Sequence, residues 1–201
     1  IEALKTTATA TFDVNATDGV ADSTAQTITI TLNGANDTPV LNVVTSGSYT
    51  DTAANDTFSD ITGTLSGSDR DSADTVSFEL DGSSASSEVG FTVEKSSTYG
   101  TFYLNATSGA YKFVANDSAI EALKTTATAT FDVNATDGTA DSASQTITIT
   151  FNGANDAPVL NVVSNGSYTD TAADDTFADI TGTLTGSDRD AGDTVSFELT
   201  G

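Results

Sequence analysis

The segment IEALKTTATATFDVNATDG at Ile1–Gly19 returns letter for letter at Ile120–Gly138. Shifting the chain by 119 residues lays Ile1–Gly82 on Ile120–Gly201 with 69 of the 82 aligned residues identical. Most of the differences are mild, such as Leu32/Phe151, Thr45/Ser164 and Ser66/Thr185. A repeat of this period makes the fold a series of similar units whose neighbours supply one another's context. We therefore read the chain as a window on a tandem array: residues 1–38 are the tail of one repeat, 39–157 one complete repeat, and 158–201 the head of a third. Near-identical neighbours suit a protein that works by length and repetition.

The boundaries come from the two prolines. Pro39 and Pro158 each follow N-G-A-N-D-x, at Asn33–Asp37 and Asn152–Asp156. Proline cannot donate to a sheet ladder and marks the first residue of a strand. Between the prolines, apolar residues alternate with polar ones in short runs, which is the period of half-buried strands. Val40–Val44 opens the series. Ile61, Gly63 and Leu65, then Val76, Phe78 and Leu80, then Val89, Phe91 and Val93 continue it. Phe102 and Leu104 face Tyr111 and Phe113 across a turn at Asn105–Gly109. Phe131, Val133 and Ala135 form another inward face, and Ile147, Ile149 and Phe151 form the last strand. Seven or eight short strands in a little over a hundred residues predict an antiparallel β-sandwich. The one helical candidate is Ser118–Lys124, with Asp117 or Ser118 as N-cap and Ile120 and Leu123 pointing inward. The expected core contains Phe78, Phe91, Phe113, Phe131, Ile147 and Ile149.

Charge narrows the function. The chain carries 29 acidic and six basic residues, a net charge of -23, and no His, Cys, Met or Trp. Nucleic acid and anionic membranes need clustered Lys and Arg, so neither is an expected partner. No apolar run is long enough to span a bilayer. Without thiolate, imidazole or thioether there is no ligand for soft metals, and no Ser/His or Cys/His pair for nucleophilic catalysis. An enzyme is not expected.

Of the 29 acids 23 are Asp, the short carboxylate that favours turns. A solvated, salt-tolerant surface is one reading of that excess. Coordination of a hard cation in loops is the sharper one, because Ca²⁺ takes six to eight oxygens from Asp, Asn and backbone carbonyls. Spacing favours it. Three motifs recur in register: the linker Asn36-Asp37 and Asn155-Asp156; D-x-D-x-x-D at Asp69, Asp71 and Asp74 and at Asp188, Asp190 and Asp193; and A-T-D-G at Ala16–Gly19 and Ala135–Gly138. Carboxylates crowded in this way repel one another unless a divalent ion lies among them.

The run F-D-V-N-A-T-D-G…T-I-T-I-T…A-N-D-x-P-V resembles the last two strands of a cadherin repeat. It is closer still to the cadherin-like VCBS repeats of giant bacterial RTX-type surface adhesins. G-T-L-S-G-S-D-R-D-S-A-D-T-V-S-F and Y-K-F-V-A-N-D-S-A-I-E-A-L resemble that family too, and the likeness runs along the whole chain. It implies tandem Ig-like or cadherin-like sandwiches with Greek-key topology. It also implies Ca²⁺ at each junction, held by the linker N-D, the D-x-D of the following repeat and the Asp of its A-T-D-G loop. Carried over, one site falls near Asn36, Asp37, Asp69, Asp71 and Asp137. A second uses Asn155, Asp156, Asp188 and Asp190. Asp18 would serve a junction upstream of Ile1. The D-R-E motif of cadherins is missing, and Asp117 or Glu121 are the candidates to replace its acid. Asp74 and Asp193 stand where cadherins usually have Asn. The function implied is an extender of an extracellular bacterial adhesin, exported by type I secretion. It would be stiffened by Ca²⁺ through contact with neighbouring repeats, and would project a tip towards other cells, glycans or a biofilm. The alternative is a repeat that itself binds a glycan or its own twin.

Overall fold

The computed structural model describes residues 1–201. The strands, in chain order, are β1 (Ala8–Val14), β2 (Gln26–Leu32), β3 (Val40–Leu41), β4 (Gly47–Thr50), β5 (Ile61–Thr64), β6 (Gly67–Ser68), β7 (Ser77–Leu80) and β8 (Ser84–Ala85). They continue with β9 (Val93–Ser97), β10 (Gly100–Leu104), β11 (Ala110–Ala115), β12 (Ala127–Thr136), β13 (Gln145–Asn152), β14 (Val159–Leu160) and β15 (Gly186–Ser187). The single helix, α1, is Asp117–Glu121. The fold is all-β, with β1-β2, β3-β6, β5-β11, β7-β12, β8-β9, β9-β10, β10-β11 and β14-β15 paired antiparallel. One sheet has the order β5-β11-β10-β9-β8 and another β4-β13-β12-β7, with two-stranded pairings β1-β2, β3-β6 and β14-β15. β8–β11 follow one another within the first of these sheets and β12–β13 within the second, while the chain crosses between the two at β4–β5, β5–β7, β7–β8 and β11–β12, as in a Greek-key sandwich.

The chain divides into two compact units, the first being Ile1–Gly47, Ser59–Ala115 and Ala129–Ile149. Its core is aromatic. Phe102 of β10 stacks on Phe131 of β12 at 4.8 Å between ring centroids, and Phe113 of β11 lies 5.8 Å from the same ring. These contacts join the inner faces of the two large sheets. Phe102, Phe113, Val133, Ile147 and Ile149 are wholly buried. The expected hairpin forms: Phe102 lies opposite Phe113 and Leu104 opposite Tyr111. Asn105 shapes its turn by accepting the N–H groups of Thr107 and Ser108 on Oδ1, and Gly109 takes the left-handed φ of 73° that closes it.

The alternation fails at Val89–Val93. Gly90 adopts φ 91°, the chain turns there, and the strand begins only at Val93. Val89 is 93% exposed. Phe91 is half-buried and lies outside the core, 5.9 Å from Tyr103 and under the Lys112 ammonium at 5.3 Å. Tyr103 and Lys112 alternate with Phe102 and Phe113 along their strands, so Phe91 covers the outer face of the five-stranded sheet. Val40–Val44 is likewise shorter than expected: only Val40–Leu41 is strand, with Leu41 buried and Val43 exposed.

The second unit is Ser48–Phe58, Asn116–Thr128 and Thr150–Gly201. Tyr49 stacks on Phe151 at 6.0 Å and meets Phe58 edge-on at 5.4 Å. The helix is shorter than Ser118–Lys124. Its N-cap position is Asn116, which makes no side-chain capping bond, so neither Asp117 nor Ser118 caps it. Ile120 is buried as expected; Leu123 is only half-buried.

Identical letters have different surroundings in the two copies. Phe131, Ile147 and Ile149 are buried, while Phe12, Ile28 and Ile30 are 54%, 51% and 47% exposed. β1 and β2 pair in full register, Ala8 opposite Leu32 through Val14 opposite Gln26. In 158–201 only β14 and β15 form. The counterparts of β5 and β7 there form no strand: β11, which holds β5, has no second copy in this sequence, and the second copy of β12, which holds β7, is β1, paired only with β2.

Candidate metal centres

The first acidic site lies in the first unit, directly after β6. Asp69 Oδ1 accepts the N–H of Asp71 at 2.7 Å, and the N–H of Asp74 reaches the Asp71 carbonyl at 3.1 Å. This tight turn aims three carboxylates inward. One oxygen from each of Asp69, Asp71 and Asp74 lies within 4.8 Å of the others. The linker is bonded into the same place. Asp71 Oδ2 accepts the N–H of Asp37 at 2.7 Å. Asn36 Nδ2 donates to the Asp37 carbonyl at 2.7 Å and to Asp137 Oδ2 at 2.9 Å. Asp137 is fixed by its own loop, where Oδ1 accepts Thr139 N–H at 2.6 Å and Ala140 N–H at 2.7 Å. Those donors, Ala140 foremost, hold its pKa below the ordinary Asp value.

The second acidic site, in the second unit, repeats the construction. Asp188 Oδ1 accepts Asp190 N–H at 2.9 Å, Asp190 Oδ2 accepts Asp156 N–H at 2.7 Å, and Asn155 Nδ2 donates to the Asp156 carbonyl at 2.6 Å. Asp188, Asp190 and Asp193 converge within the same 4.8 Å. Beside them the structure builds a group that the sequence did not announce: Asp51, Asp56 and Glu121. Asp51 follows β4 and accepts Ala154 N–H on Oδ2 at 3.0 Å. Glu121, at the end of α1, accepts Asp56 N–H on Oε1 at 2.9 Å. Burial, and then the Asp51 carboxylate, push the Glu121 pKa above its ordinary value, against the pull of Asp56 N–H and Arg189. Arg189 pairs with Asp156 Oδ1 at 2.8 Å and Glu121 Oε2 at 3.3 Å.

Of the expected residues, Asn36, Asp69, Asp71, Asp74 and Asp137 come together, as do Asn155, Asp156, Asp188, Asp190 and Asp193. Asp37 joins through its backbone N–H. Glu121 enters an acidic cluster, whereas Asp117 is not one of its three carboxylates and accepts Phe58 N–H at 3.4 Å. Asp18 repeats the Asp137 loop, accepting Val20 and Ala21 N–H groups, and stands on an exposed surface. Asp51 and Asp56 recur in sequence as Asp170 and Asp175, and that recurrence was the available signal for them.

The donor set suits a hard cation. Asp51, Asp71, Glu121, Asp156 and Asp190 are 0–4% exposed. One side-chain oxygen on each of Asp51, Asp71, Asp156 and Asp190, together with Asn36 Oδ1 and Asp69 Oδ2, is buried without a hydrogen-bond partner, while Glu121 Oε2 has only the Arg189 guanidinium at 3.3 Å. Buried, unpartnered carboxylate oxygens are costly, and crowding them adds repulsion. Two oxygens bound to one Ca²⁺ at about 2.4 Å are at most about 4.8 Å apart, so both triads have a spacing that one ion can span.

No family model matches the chain, and no curated protein matches it. It is similar to solved structures of cadherin ectodomains. Drosophila N-cadherin EC1-4 is 15% identical with TM-score 0.32, over 67% of this chain and 29% of that one. Human CDH23 EC21-23 is 15% identical with TM-score 0.38, over 90% and 59%. Protocadherin gamma B2 domains 3-6 is 16% identical with TM-score 0.36, over 69% and 31%. The chain thus spans about a third of the N-cadherin and protocadherin structures and under two thirds of the CDH23 structure.

Proposed function

We propose that the chain is an extender: a run of extracellular β-sandwich repeats of the adhesion type, coupled by Ca²⁺ at each linker. The repeat boundaries are those set by Pro39 and Pro158. Asp69, Asp71 and Asp137 with Asn36 would hold one ion. Asp188, Asp190 and Asp156 would hold another, with Asp51, Asp56 and Glu121 supplying oxygens from the side of the preceding repeat. When bound, the ion supplies charge and directional bonds; the chain's residues supply position. The linker N–H groups pin the Asp71 and Asp190 carboxylates, and the A-T-D-G loop pins Asp137. The motif resemblance supports the surface of a bacterium and type I secretion as the setting. Low cytosolic Ca²⁺ would leave the acidic junctions loose before export, and external millimolar Ca²⁺ would close them, since extracellular modules bind at about 10⁻⁴–10⁻³ M.

The observation that carries this reading is the same carboxylate turn built twice, each time with a linker N–H on its buried middle Asp. Calorimetric titration of the chain with Ca²⁺, followed by small-angle scattering, tests it. Saturable binding and a longer, stiffer particle are expected. No binding in the millimolar range would refute it. The alternative, a glycan- or self-binding repeat, has less support: Tyr49 is buried against Phe58 and Phe151, and Tyr103 is engaged by Phe91 and Lys112.

A further inference from the structure

The sequence Glu-Ala-Leu-Lys occurs twice, at Glu2–Lys5 and Glu121–Lys124, and makes the same contacts both times. At the first, the Ala3 carbonyl accepts Ser72 N–H at 3.3 Å and Lys5 Nζ donates to Asp74 Oδ2 at 2.8 Å. At the second, the Ala122 carbonyl accepts Ala191 N–H at 3.2 Å and Lys124 donates to Asp193. Residue 72 is Ser and residue 191 is Ala, yet the bond persists because it runs through the backbone. The linker seals the other side of the turn. Gly34 lies on the Leu4 carbonyl and Gly153 on the Leu123 carbonyl, each so close that a β-carbon would overlap it. Neither glycine has a positive φ, so close approach alone requires it. The N-G-A-N-D linker is held between the turn and the D-x-D-x-x-D loop.

We propose that this turn is a latch that docks one repeat on the next without an ion, with Lys5 and Lys124 as its positioning residues. The proposal rests on the repeat boundaries given above and deepens the junction's chemistry. It divides the acids of D-x-D-x-x-D into two roles. Asp74 and Asp193 serve the lysine, and the first two acids of each motif are left for the cation. A lysine ammonium neutralises one of three crowded carboxylates at all times. The backbone bond and the glycine seat add direction, which a lone, half-exposed ion pair lacks. The latch therefore sets the register of the junction before Ca²⁺ arrives, and the ion stiffens a contact already made.

The chain has no cysteine, so a pair of spin labels can be placed uniquely. Val20 and Val89 are 95% and 93% exposed, one on each side of the first junction. With both changed to Cys and labelled, pulsed dipolar distances are measured in chelator and in saturating Ca²⁺. In chelator the parent is expected to give one narrow distance distribution. Lys5→Ala and Gly34→Ala are each expected to at least double its width, Lys5→Arg to keep it narrow, and the exchanged pair Lys5→Asp with Asp74→Lys to restore it. A parent already broad in chelator, a Lys5→Ala chain as narrow as the parent, or an exchanged pair that stays broad would each overturn the latch. The Ca²⁺ arm is separate. If Ca²⁺ fails to narrow the Lys5→Ala chain while the parent is narrow in chelator, the ion reading falls and the latch stands.

Discussion

Asp71→Asn separates a metal ligand from a structural cap. In the ion-free protein Asp71 has two tasks that oppose each other. Its Oδ2 accepts Asp37 N–H at 2.7 Å, which is favourable. Its charge sits with those of Asp69 and Asp74, oxygens within 4.8 Å. Two unit charges about 5 Å apart at an effective dielectric of about 20 repel by roughly 3 kcal/mol. Lys5 on Asp74 offsets part of that repulsion. An asparagine oxygen can still accept the linker N–H, so the lost hydrogen-bond strength, about 1 kcal/mol for a charged against a neutral acceptor, is of the same order as the relief. Without Ca²⁺ the variant should therefore match or exceed the parent.

With Ca²⁺ the sign reverses. A ligand at 100 times its dissociation constant stabilises the folded state by about 2.7 kcal/mol. At about 10 mM Ca²⁺ and the upper affinity of extracellular modules, about 10⁻⁴ M, that is the gain expected at this site. The variant should forfeit most of it. Urea unfolding followed by circular dichroism, in chelator and in Ca²⁺, gives four curves. They should cross: variant at or above parent without the ion, and below it with the ion. An equal loss in both conditions would make Asp71 only a cap for the linker N–H, and an undiminished Ca²⁺ response in the variant would remove it from the coordination sphere.

Three further outcomes follow from the same geometry. Glu121 has a raised pKa, so its proton favours the folded ion-free state below the ordinary Glu value of 4.5, and that contribution is lost as pH rises through the raised value; Glu121→Gln should make ion-free unfolding less sensitive to pH in that window and weaken Ca²⁺ binding, and a parent-like pH profile would contradict the assignment. Ile149→Ala removes a wholly buried side chain and should cost about 2–5 kcal/mol, whereas its twin Ile30→Ala, at a position 47% exposed, should cost under about 1 kcal/mol, and equal urea midpoints for the two would refute the difference in packing. Gly100→Ala should destabilise by about 2–3 kcal/mol, because φ is 147° and the new carbon meets the Phe113 ring at 2.6 Å; thermal unfolding at the parent temperature would show that β10 has room to shift.

Where one period ran through a strand, its inward face was legible in the sequence. Phe131, Val133 and Ala135, and Ile147, Ile149 and Phe151, alternate and are all buried. The D-x-D-x-x-D turns were legible too, since three acids in six residues close on themselves through local N–H bonds. Phe91 misled because Val89, Phe91 and Val93 alternate in letters alone. Gly90 breaks the backbone between them, and no periodicity count registers a left-handed residue. Asp51 and Asp56 stayed hidden for a different reason. Their partner Glu121 is 70 and 65 residues away, and only the meeting of β4's end with α1's end makes the three a group.

That separation bears on what a single repeat can do. On the proposed reading, Asp51, Asp56, Glu121 and Asp156 come from one repeat, and Asp188 and Asp190 from the next. At one ligand oxygen per carboxylate, neither set alone reaches the six to eight oxygens that Ca²⁺ takes. Each repeat carries half of a site at either end, while its aromatic core around Phe102, Phe113 and Phe131 is complete within itself. Folding and ion binding are then set by different residues at different places. An isolated repeat would fold with its half-sites weak, and affinity would appear only when a neighbour is attached. Ca²⁺ affinity thus measures the docking of repeats, and a substitution in the core that leaves the docking turn intact should change stability without changing it.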